Sequence, residues 1–295
     1  MVQLDSFLIA TGSLGVLVFI VTSMLGMGFS LTIEQIIAPL RNKRLVLMSL
    51  VANFILVPLL VLLIVRVMPL SDGLKIGLIL TGMAAGAPFL PKLVQVAKGD
   101  MAFAAGLMVI LMVVTIAFLP LVLPFVLIGV QVNPLEIAKS LILLMLIPLG
   151  VALFIRARYE EVAKGLIPTM TMATNLSLIV LFIGYFVAYF SEIFGVIGTG
   201  GFLAAIILIA GSAAVGYLLG GPGMDTRTVL ALGTGQRNLA AAFAVATSNF
   251  LSNPEVLIEV MVVSLLGLAV LMVIAGLRPK KQEPVKPIEE KPVEK

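Results

Sequence analysis

Residues 229–250 read VLALGTGQRNLAAAFAVATSNF, an apolar run with the polar stretch GTGQRN near its centre. A run of this length can cross a bilayer, but glycines weaken a helix at the point where they occur. Non-helical backbone at membrane depth is tolerated only where it is buried in protein or lines a wet cavity. The stretch therefore predicts a broken membrane helix, with the ionisable Arg237 at the break.

A second apolar run is interrupted in a similar way, by GMAAGAPFLPK at residues 82–92. Pro88 and Pro91 lack amide donors and clash with preceding carbonyls, and Gly86 adds a flexible position before them. A pair of interrupted helices in corresponding halves of a chain marks the substrate site of many transporters. The two runs are five spans apart and are expected to point in opposite directions, as in an inverted repeat.

The composition places the chain in a membrane and excludes several kinds of chemistry. Hydrophobic residues make up 61% of the chain, charged residues make up 12%, and the mean hydropathy is +1.20. Cys and His are absent, which excludes disulfides, thiolate or imidazole metal sites and Ser-His-Asp catalysis. The net charge of +4 comes from scattered basic residues, so it indicates membrane topology and not nucleic-acid binding. The chain is not expected to be an enzyme.

Apolar runs predict an all-α membrane protein with about nine transmembrane helices. The charged, proline-containing residues 278–295 are predicted to be a disordered cytoplasmic tail after a single transmembrane domain at 1–277. The predicted spans are 7–31, 45–65, 76–96, 101–130, 137–154, 170–189, 202–219, 229–250 and 256–277.

The distribution of basic residues predicts the orientation. With the N-terminus outside and nine spans, most Lys and Arg residues fall in inside loops, as the positive-inside rule requires. The chain is therefore predicted to be a multi-pass protein of the plasma (inner) membrane with a cytoplasmic C-terminus. The inside residues are Arg41, Lys43, Arg44, Lys98, Arg156, Arg158, Lys164, Arg227, Arg278, Lys280 and Lys281; the outside residues are Arg66, Lys75 and Lys139, with Glu192, Glu255 and Glu259.

Four motifs resemble those of the bile acid:sodium symporter family, in the right order and spacing. MLGMGFSL at 24–31 is similar to the family signature MxxMGL[TS]L, and NFILVP at 53–58 is similar to its Q-x-x-x-M-P segment. AKGD at 97–100 resembles A-[RK]-G-[ND], and GTGQRN at 233–238 lies where the family has E-T-G-x-Q-N. The likeness runs from Met24 to about Leu277, and this chain looks like a nine-helix form without the family's opening helix.

The resemblance implies two subdomains formed from inverted five-helix repeats, the first of which lacks its opening helix. A panel is expected from about 7–31 and 137–189, and a core from about 45–130 and 202–277. The two broken helices would cross in the core, with sodium ions behind the crossing and an anionic substrate in front of it. Rocking of one subdomain against the other would alternate access.

The sodium ligands are where this sequence departs from the family. Sodium is a hard cation that needs oxygen ligands, yet Gly233 takes the place of the motif's Glu and Arg237 that of its Gln. The family's Ser-Asn pair becomes Leu90-Pro91, with Lys92 beside it. The prediction is that Arg237 and Lys92 replace the bound cations, which puts sodium coupling in doubt. No cofactor is expected apart from that ion, and no metal site is predicted.

The expected substrate- and ion-binding residues include polar side chains for which interhelical packing is an equal alternative. Lys92 has a loop interpretation as well as a site interpretation, and if it is buried it becomes a candidate for proton coupling. The residues are Asn53, Lys92, Thr115, Gly233, Thr234, Gly235, Gln236, Arg237 and Asn238, with Gly86, Pro88 and Pro91 as the backbone of the first break.

The leading functional hypothesis is a secondary active transporter of small organic anions of bile-acid, keto-acid or vitamin-precursor type. A conventional sodium-coupled symporter is the alternative within transport, and a non-transporting receptor or scaffold is the alternative of another class. The expected partners are the organic anion and the lipid bilayer, with no nucleic acid. Substrate identity and oligomeric state stay open.

Overall fold

A computed structural model describes residues 2–37, 41–127, 130 and 132–277 of the chain. Helices joined by short connections make up this part of the protein, and it contains no strand. The predicted tail at 278–295 lies outside the described residues.

The helices follow one another along the chain with two π-helical turns among them. In order they are α1 (Val2–Ser30), α2 (Ile33–Ile37), α3 (Lys43–Val51), the π turn Ala52–Leu56, α4 (Val57–Val67), α5 (Asp72–Met83), α6 (Leu90–Val96), α7 (Met101–Val126), α8 (Pro134–Leu141), the π turn Ile142–Leu146, α9 (Ile147–Arg158), α10 (Glu160–Ala188), α11 (Phe190–Gly195), α12 (Gly201–Leu219), α13 (Met224–Gly235), α14 (Leu239–Asn249) and α15 (Pro254–Gly276).

Within the described ranges, seven helical segments are long and apolar enough to cross a membrane. The prediction of an all-α membrane protein is therefore confirmed, whereas the count of nine spans and the inverted repeat stay predictions. The other two predicted spans are each divided into a pair of short helices, α5 with α6 and α13 with α14. The seven segments are Ser6–Ser30, Lys43–Val67, Met101–Val126, Pro134–Arg158, Glu160–Ala188, Gly201–Leu219 and Pro254–Gly276.

One predicted boundary is displaced because charged residues do not end the helix. The sixth span was expected to begin near 170, but α10 already begins at Glu160. Lys164 forms ion pairs at 3.0 Å with both Glu160 and Glu161 on the first turns of this helix. Pairs spaced three and four residues apart lie on one helix face, so the charged segment is compatible with helix.

Helix α1 packs closely against α10 and α9 because small residues line its path. Gly12 faces the ring of Tyr185 on α10, and Gly28 faces Ala152 on α9. The hydroxyl of Tyr185 is 3.0 Å from that of Ser13, and its ring stacks on Phe243 of α14 at a centroid distance of 6.4 Å. Helices α1, α9 and α10 belong to the predicted panel and α14 to the predicted core; the division into panel and core stays a prediction.

The two π turns each occur before a proline. Pro58 is at the start of α4, after the turn Ala52–Leu56, and Pro148 is at the start of α9, after the turn Ile142–Leu146. A proline cannot donate to the carbonyl four residues earlier and pushes that carbonyl away, and a π turn absorbs the mismatch. The first turn points the side chain of Asn53 into the protein interior, where it is fully buried.

Candidate functional site

The two helix breaks meet in the interior of the bundle. The amide N–H of Asn238 donates to the carbonyl of Ala84 at 2.9 Å, and its side-chain Nδ2 donates to Ala85 at 3.2 Å and Gly86 at 3.0 Å. Its Oδ1 also accepts from the N–H of Ala241 and caps the start of α14. A single Asn thus satisfies freed backbone groups of both breaks.

Arg237 lies at the point where two half-helices end. Its Nε donates to the carbonyl of Thr81 at 3.1 Å and its Nη2 to that of Gly82 at 2.7 Å, both in the last turn of α5. Its Nη1 donates to the carbonyl of Thr234 at 2.8 Å, in the last turn of α13. The side chain is only 5% exposed, so the charge is buried among carbonyl oxygens.

Asn53 and Thr234 complete the surroundings of the guanidinium. Asn53 Oδ1 accepts from Arg237 Nη1 at 3.1 Å, and its Nδ2 donates to Thr234 Oγ1 at 3.1 Å and to the carbonyl of Ser49 at 3.0 Å. Asn53 and Thr234 are each 0% exposed. The contacts bring together three of the predicted binding residues, whose role in binding stays a prediction.

Thr115 and Gly86 hold the first break against α7. The Thr115 hydroxyl accepts from the N–H of Ala85 and donates to its carbonyl, both at 3.0 Å. Gly86 has φ +79°, and a Cβ at this position would overlap the backbone of Met112. Only glycine combines this left-handed conformation with so close an approach.

Apolar groups fill the space beside Gly233, where the family motif carries Glu. A Cβ on Gly233 would lie 3.0 Å from Leu90 Cδ2 and 3.5 Å from Leu107 Cδ2. Leu90 itself takes the place of the Ser in the family's Ser-Asn pair. The two positions at which this chain differs from the family, 90 and 233, therefore lie next to each other. Gly235 permits another close contact, since its Cβ would lie 2.8 Å from Leu271 of α15.

Lys92 is not part of the crossing, contrary to the expectation that it joins Arg237 there. It is exposed and donates to Gln95 Oε1 at 3.2 Å on the outer face of α6. Leu90, Leu93 and Val94 form the buried face of that short helix. The match of Leu90-Pro91 to the family's Ser-Asn pair gives no information on the direction in which α6 turns after the break.

Of the remaining predicted residues, the two prolines shape the backbone, and Gln236 has a side-chain oxygen without a hydrogen-bond partner among the described residues. Pro88 lies in the turn between the break and α6, and Pro91 in the first turn of α6, where its missing N–H costs no helical bond. The Gln236 N–H donates to the carbonyl of Leu232 at 2.8 Å, whereas its side-chain Oε1 is buried without a hydrogen-bond partner.

Sequence reasoning missed one ionisable residue of the interior. Glu259 was assigned to the outside with Glu255, but it lies in the second turn of α15 and is 0% exposed. Its burial comes from packing against α5 and α12, which contact Glu259 through glycines. The sequence signal was its position inside the predicted span 256–277, because an ionisable residue within a span is a candidate for function.

The crossing has the negative electrostatic potential that favours a cation, and the guanidinium of Arg237 lies there. A helix C-terminus carries a partial negative charge of roughly half a unit, and the C-terminal turns of α5 and α13 both contact the guanidinium. No ion pair in the described part of the chain includes Arg237. Those pairs join Lys75 with Asp72, Arg156 with Glu160, and Lys164 with Glu160 and Glu161.

Two comparisons with known proteins find the same family. The Sodium Bile acid symporter family pattern matches residues 17–198, more than half of the chain, and ends before the second helix break. The human protein "Sodium/bile acid cotransporter 4" is 26% identical over 237 residues, which cover 76% of this chain. The aligned part is 53% of the human protein, so the chain spans about half the length of this relative.

Proposed function

Because the chain belongs to the Sodium Bile acid symporter family, we propose that it is a secondary transporter of a small organic anion whose cycle does not require sodium. The observation that carries this proposal is the guanidinium of Arg237, which bonds the carbonyl ends of α5 and α13. The crossing of the two broken helices is the proposed centre of alternating access between a panel and a core.

The carbonyl ends at the crossing favour a cation, and Arg237 supplies one from the chain. Three backbone carbonyls and Asn53 Oδ1 accept from its side chain. Mobile sodium would need these same oxygens, and the guanidinium would also repel it, because charges interact strongly where water is excluded. We therefore expect the tethered cation to exclude the mobile one.

The apolar packing beside Gly233 argues in the same direction. Sodium needs several oxygen ligands, but the position opposite Gly233 is filled by the methyl groups of Leu90 and Leu107. A carboxylate at position 233 would have to displace Leu90. Both the charge and the shape of the site thus disfavour a bound sodium ion.

The choice of an anionic substrate rests on the family and on a helix N-terminus at the crossing. The family is named for bile acids, which are organic anions. Helix α14 begins beside the second break, and a helix N-terminus favours an anion. The charge of Arg237 does not contribute to this choice, because the carbonyl ends of α5 and α13 offset it. A carboxylate in front of the crossing would meet the N-terminus of α14; bile acids and keto acids carry such a group, as do some vitamin precursors.

The first test compares sodium with potassium on the purified protein. In detergent at constant ionic strength, we expect NaCl and KCl to give the same melting temperature. A real sodium site filled at ~100 times its Kd would add about 2.7 kcal/mol of stability, so a sodium-specific rise would contradict the proposal and favour the conventional symporter.

A matched variant tests whether the assay can detect such a site. The triple substitution Leu90→Ser, Gly233→Glu and Arg237→Gln gives back oxygen ligands and makes room for them. We expect this variant alone to gain sodium-dependent stability.

Transport itself is tested with proteoliposomes and radiolabelled anions of the three classes. Saturable uptake without sodium supports the proposal, and no uptake of any of them favours the receptor or scaffold.

A further inference from the structure

Glu259 is a buried acid that forms none of the contacts described at the crossing of the two broken helices. Its side chain is 0% exposed, and neither Oε1 nor Oε2 has a hydrogen-bond partner. It lies on α15, near the end of the bundle at which α5, α12 and α15 all begin. A polar group in such a position needs a partner, and the described residues do not provide one.

The carboxyl group lies in a space that glycines on two neighbouring helices make. A Cβ on Gly77 of α5 would lie 2.6 Å from Glu259 Cβ, and a Cβ on Gly201, the first residue of α12, would lie 2.9 Å from Glu259 Oε2. Val196 and Leu74 approach the same position of Gly201 at 3.0 and 3.5 Å. The space therefore fits the Glu side chain and is lined with apolar groups.

Glu259 is in none of the ion pairs among the described residues. Arg237 contacts α5 one turn beyond Gly77. Its donors, however, are directed to the carbonyls of Thr81 and Gly82. Helices α12 and α14 carry no Asp, Glu, Lys or Arg. On α5, Lys75 is paired with Asp72 at 3.3 Å, and on α11 Glu192 is exposed. The charged residues of α6 and α13 lie beyond the helix breaks, away from the turn of α5 that contacts Glu259; they are Lys92, Asp225 and Arg227.

A proton is the cation that fits this site. An isolated carboxylate in an apolar interior is far more costly than a neutral carboxylic acid, so the group is expected to bind a proton instead of staying charged. Sodium would need several oxygen ligands, and the described residues contain no cluster of three acids that could hold a metal ion.

A second acid lies one turn closer to the end of the bundle. Glu255 is four residues before Glu259 on the same face of α15 and is partly exposed. It accepts a hydrogen bond from Ser71 Oγ at 2.6 Å, at the start of α5. A small separation of α15 from α5 would connect the buried acid to this exposed one.

We propose that Glu259 is a proton-binding site, which holds its proton while α5, α12 and α15 are packed together and exchanges it with water when they separate. The proton is then the ion that couples substrate movement to a gradient, a role that rests on the proposed function of the chain. The proton itself can be measured without any transport.

The test is infrared spectroscopy of the purified protein in a detergent without ester groups. At neutral pH we expect a C=O band of a neutral carboxylic acid in the native protein and in the exposed control Glu192→Gln, and its loss in Glu259→Gln. An unchanged band in Glu259→Gln, or no band in the native protein, would overturn the proposal. Absence of the band from the native spectrum would overturn the proposal even if the variant does not fold.

A second measurement follows the melting temperature with pH. Ionisation of Glu259 in the unfolded chain, but not in the folded one, makes the native protein lose stability as pH rises. Gln cannot ionise, so the melting temperature of Glu259→Gln should rise relative to native by at least ~3 °C between pH 5 and pH 8, whereas parallel curves would contradict the site.

Uptake into proteoliposomes with an imposed proton gradient tests the coupling. We expect acid on the substrate side to raise the initial rate in the native protein and in Glu192→Gln, but not in Glu259→Gln. If uptake occurs and ignores the gradient, coupling by Glu259 is wrong. If none of the anions is taken up, the proposed function fails, and the infrared band still reports on the proton site.

Discussion

At the scale of single residues, Arg237 joins three parts of the chain that are distant in sequence. It bonds the end of α5, the end of its own half-helix α13, and Asn53 on the π turn. The fork of a guanidinium can reach several oxygens in fixed directions, which an ammonium group cannot do. The side chain is therefore expected to be important for stability as well as for binding.

Substitution of Arg237 should destabilise the protein strongly. Arg237→Gln leaves buried carbonyls without donors, and the expected loss is at least ~3 kcal/mol in the free energy of unfolding. Arg237→Lys keeps the charge and some of the bonds, so its loss should be smaller. Melting temperatures in detergent measure both, with Arg66→Gln as the control, because Arg66 is exposed at the end of α4. Equal effects at positions 66 and 237 would contradict this account.

The residues show which parts of the site could be predicted from sequence. Arg237 and Asn53 were identified because polar side chains within long apolar runs need a partner in the interior. The sequence left a loop and a site interpretation open for Lys92, because one residue of helix rotation decides whether a side chain faces the core. Glu259 was missed because it is near the end of its span, where an acid normally meets water.

At the scale of elements, the first break depends on contacts with a neighbouring helix. The extended backbone after α5 has no internal hydrogen-bond ladder, so Thr115 on α7 bonds both polar groups of Ala85. Gly86 then follows with a positive φ of 79° against the backbone of α7. The break is a built feature with defined partners and not merely a weak point of a helix.

Addition of one methyl group at this break should be severely destabilising. In Gly86→Ala, the left-handed backbone alone costs roughly 1–2 kcal/mol, and the overlap with Met112 adds to it. We expect loss of folded protein or a large fall in melting temperature. Gly150→Ala in α9 is the matched control, since nothing lies within 4 Å of its Cβ position; it should be neutral or slightly stabilising. A mild effect of Gly86→Ala would mean that the break is loosely held.

The two π turns could not be predicted from the sequence, although the long helices and both breaks could. Apolar runs predicted the long helices, and the glycines and prolines predicted both breaks. Pro58 and Pro148 were visible too, but a proline in a membrane helix can cause a kink, a π turn or neither. The packing of Asn53 against Thr234 selects the outcome for the first one, and this packing involves residues far apart in sequence.

At the scale of the whole molecule, the absence of cysteine makes the predicted orientation easy to test. Glu192 and Lys98 are both exposed and belong to loops predicted on opposite sides of the membrane. We expect Glu192→Cys to react with a membrane-impermeant maleimide on intact cells, and Lys98→Cys to react only after permeabilisation. The reverse pattern would show an inverted chain, and the unsubstituted protein is an unreactive control.

The all-helical membrane character was accessible from sequence because the bilayer limits the choices. A chain this apolar must satisfy its backbone within helices, so long runs become helices such as α7 and α15. The composition does not predict which helices contact one another. The contact of Glu259 with α5 and α12 depends on glycines at 77 and 201, whose neighbours only the folded chain reveals.

If the chain is the proposed carrier, the tethered guanidinium also determines how transport responds to membrane voltage. A dissolved ion that crosses with its substrate adds its charge to the current, and each elementary charge gains about 2.3 kcal/mol per 100 mV. Arg237 would return with the protein after every cycle and would add nothing to that sum. A monovalent anion accompanied by one proton would cross with no net charge, so its accumulation would follow acidity and be indifferent to the electrical potential.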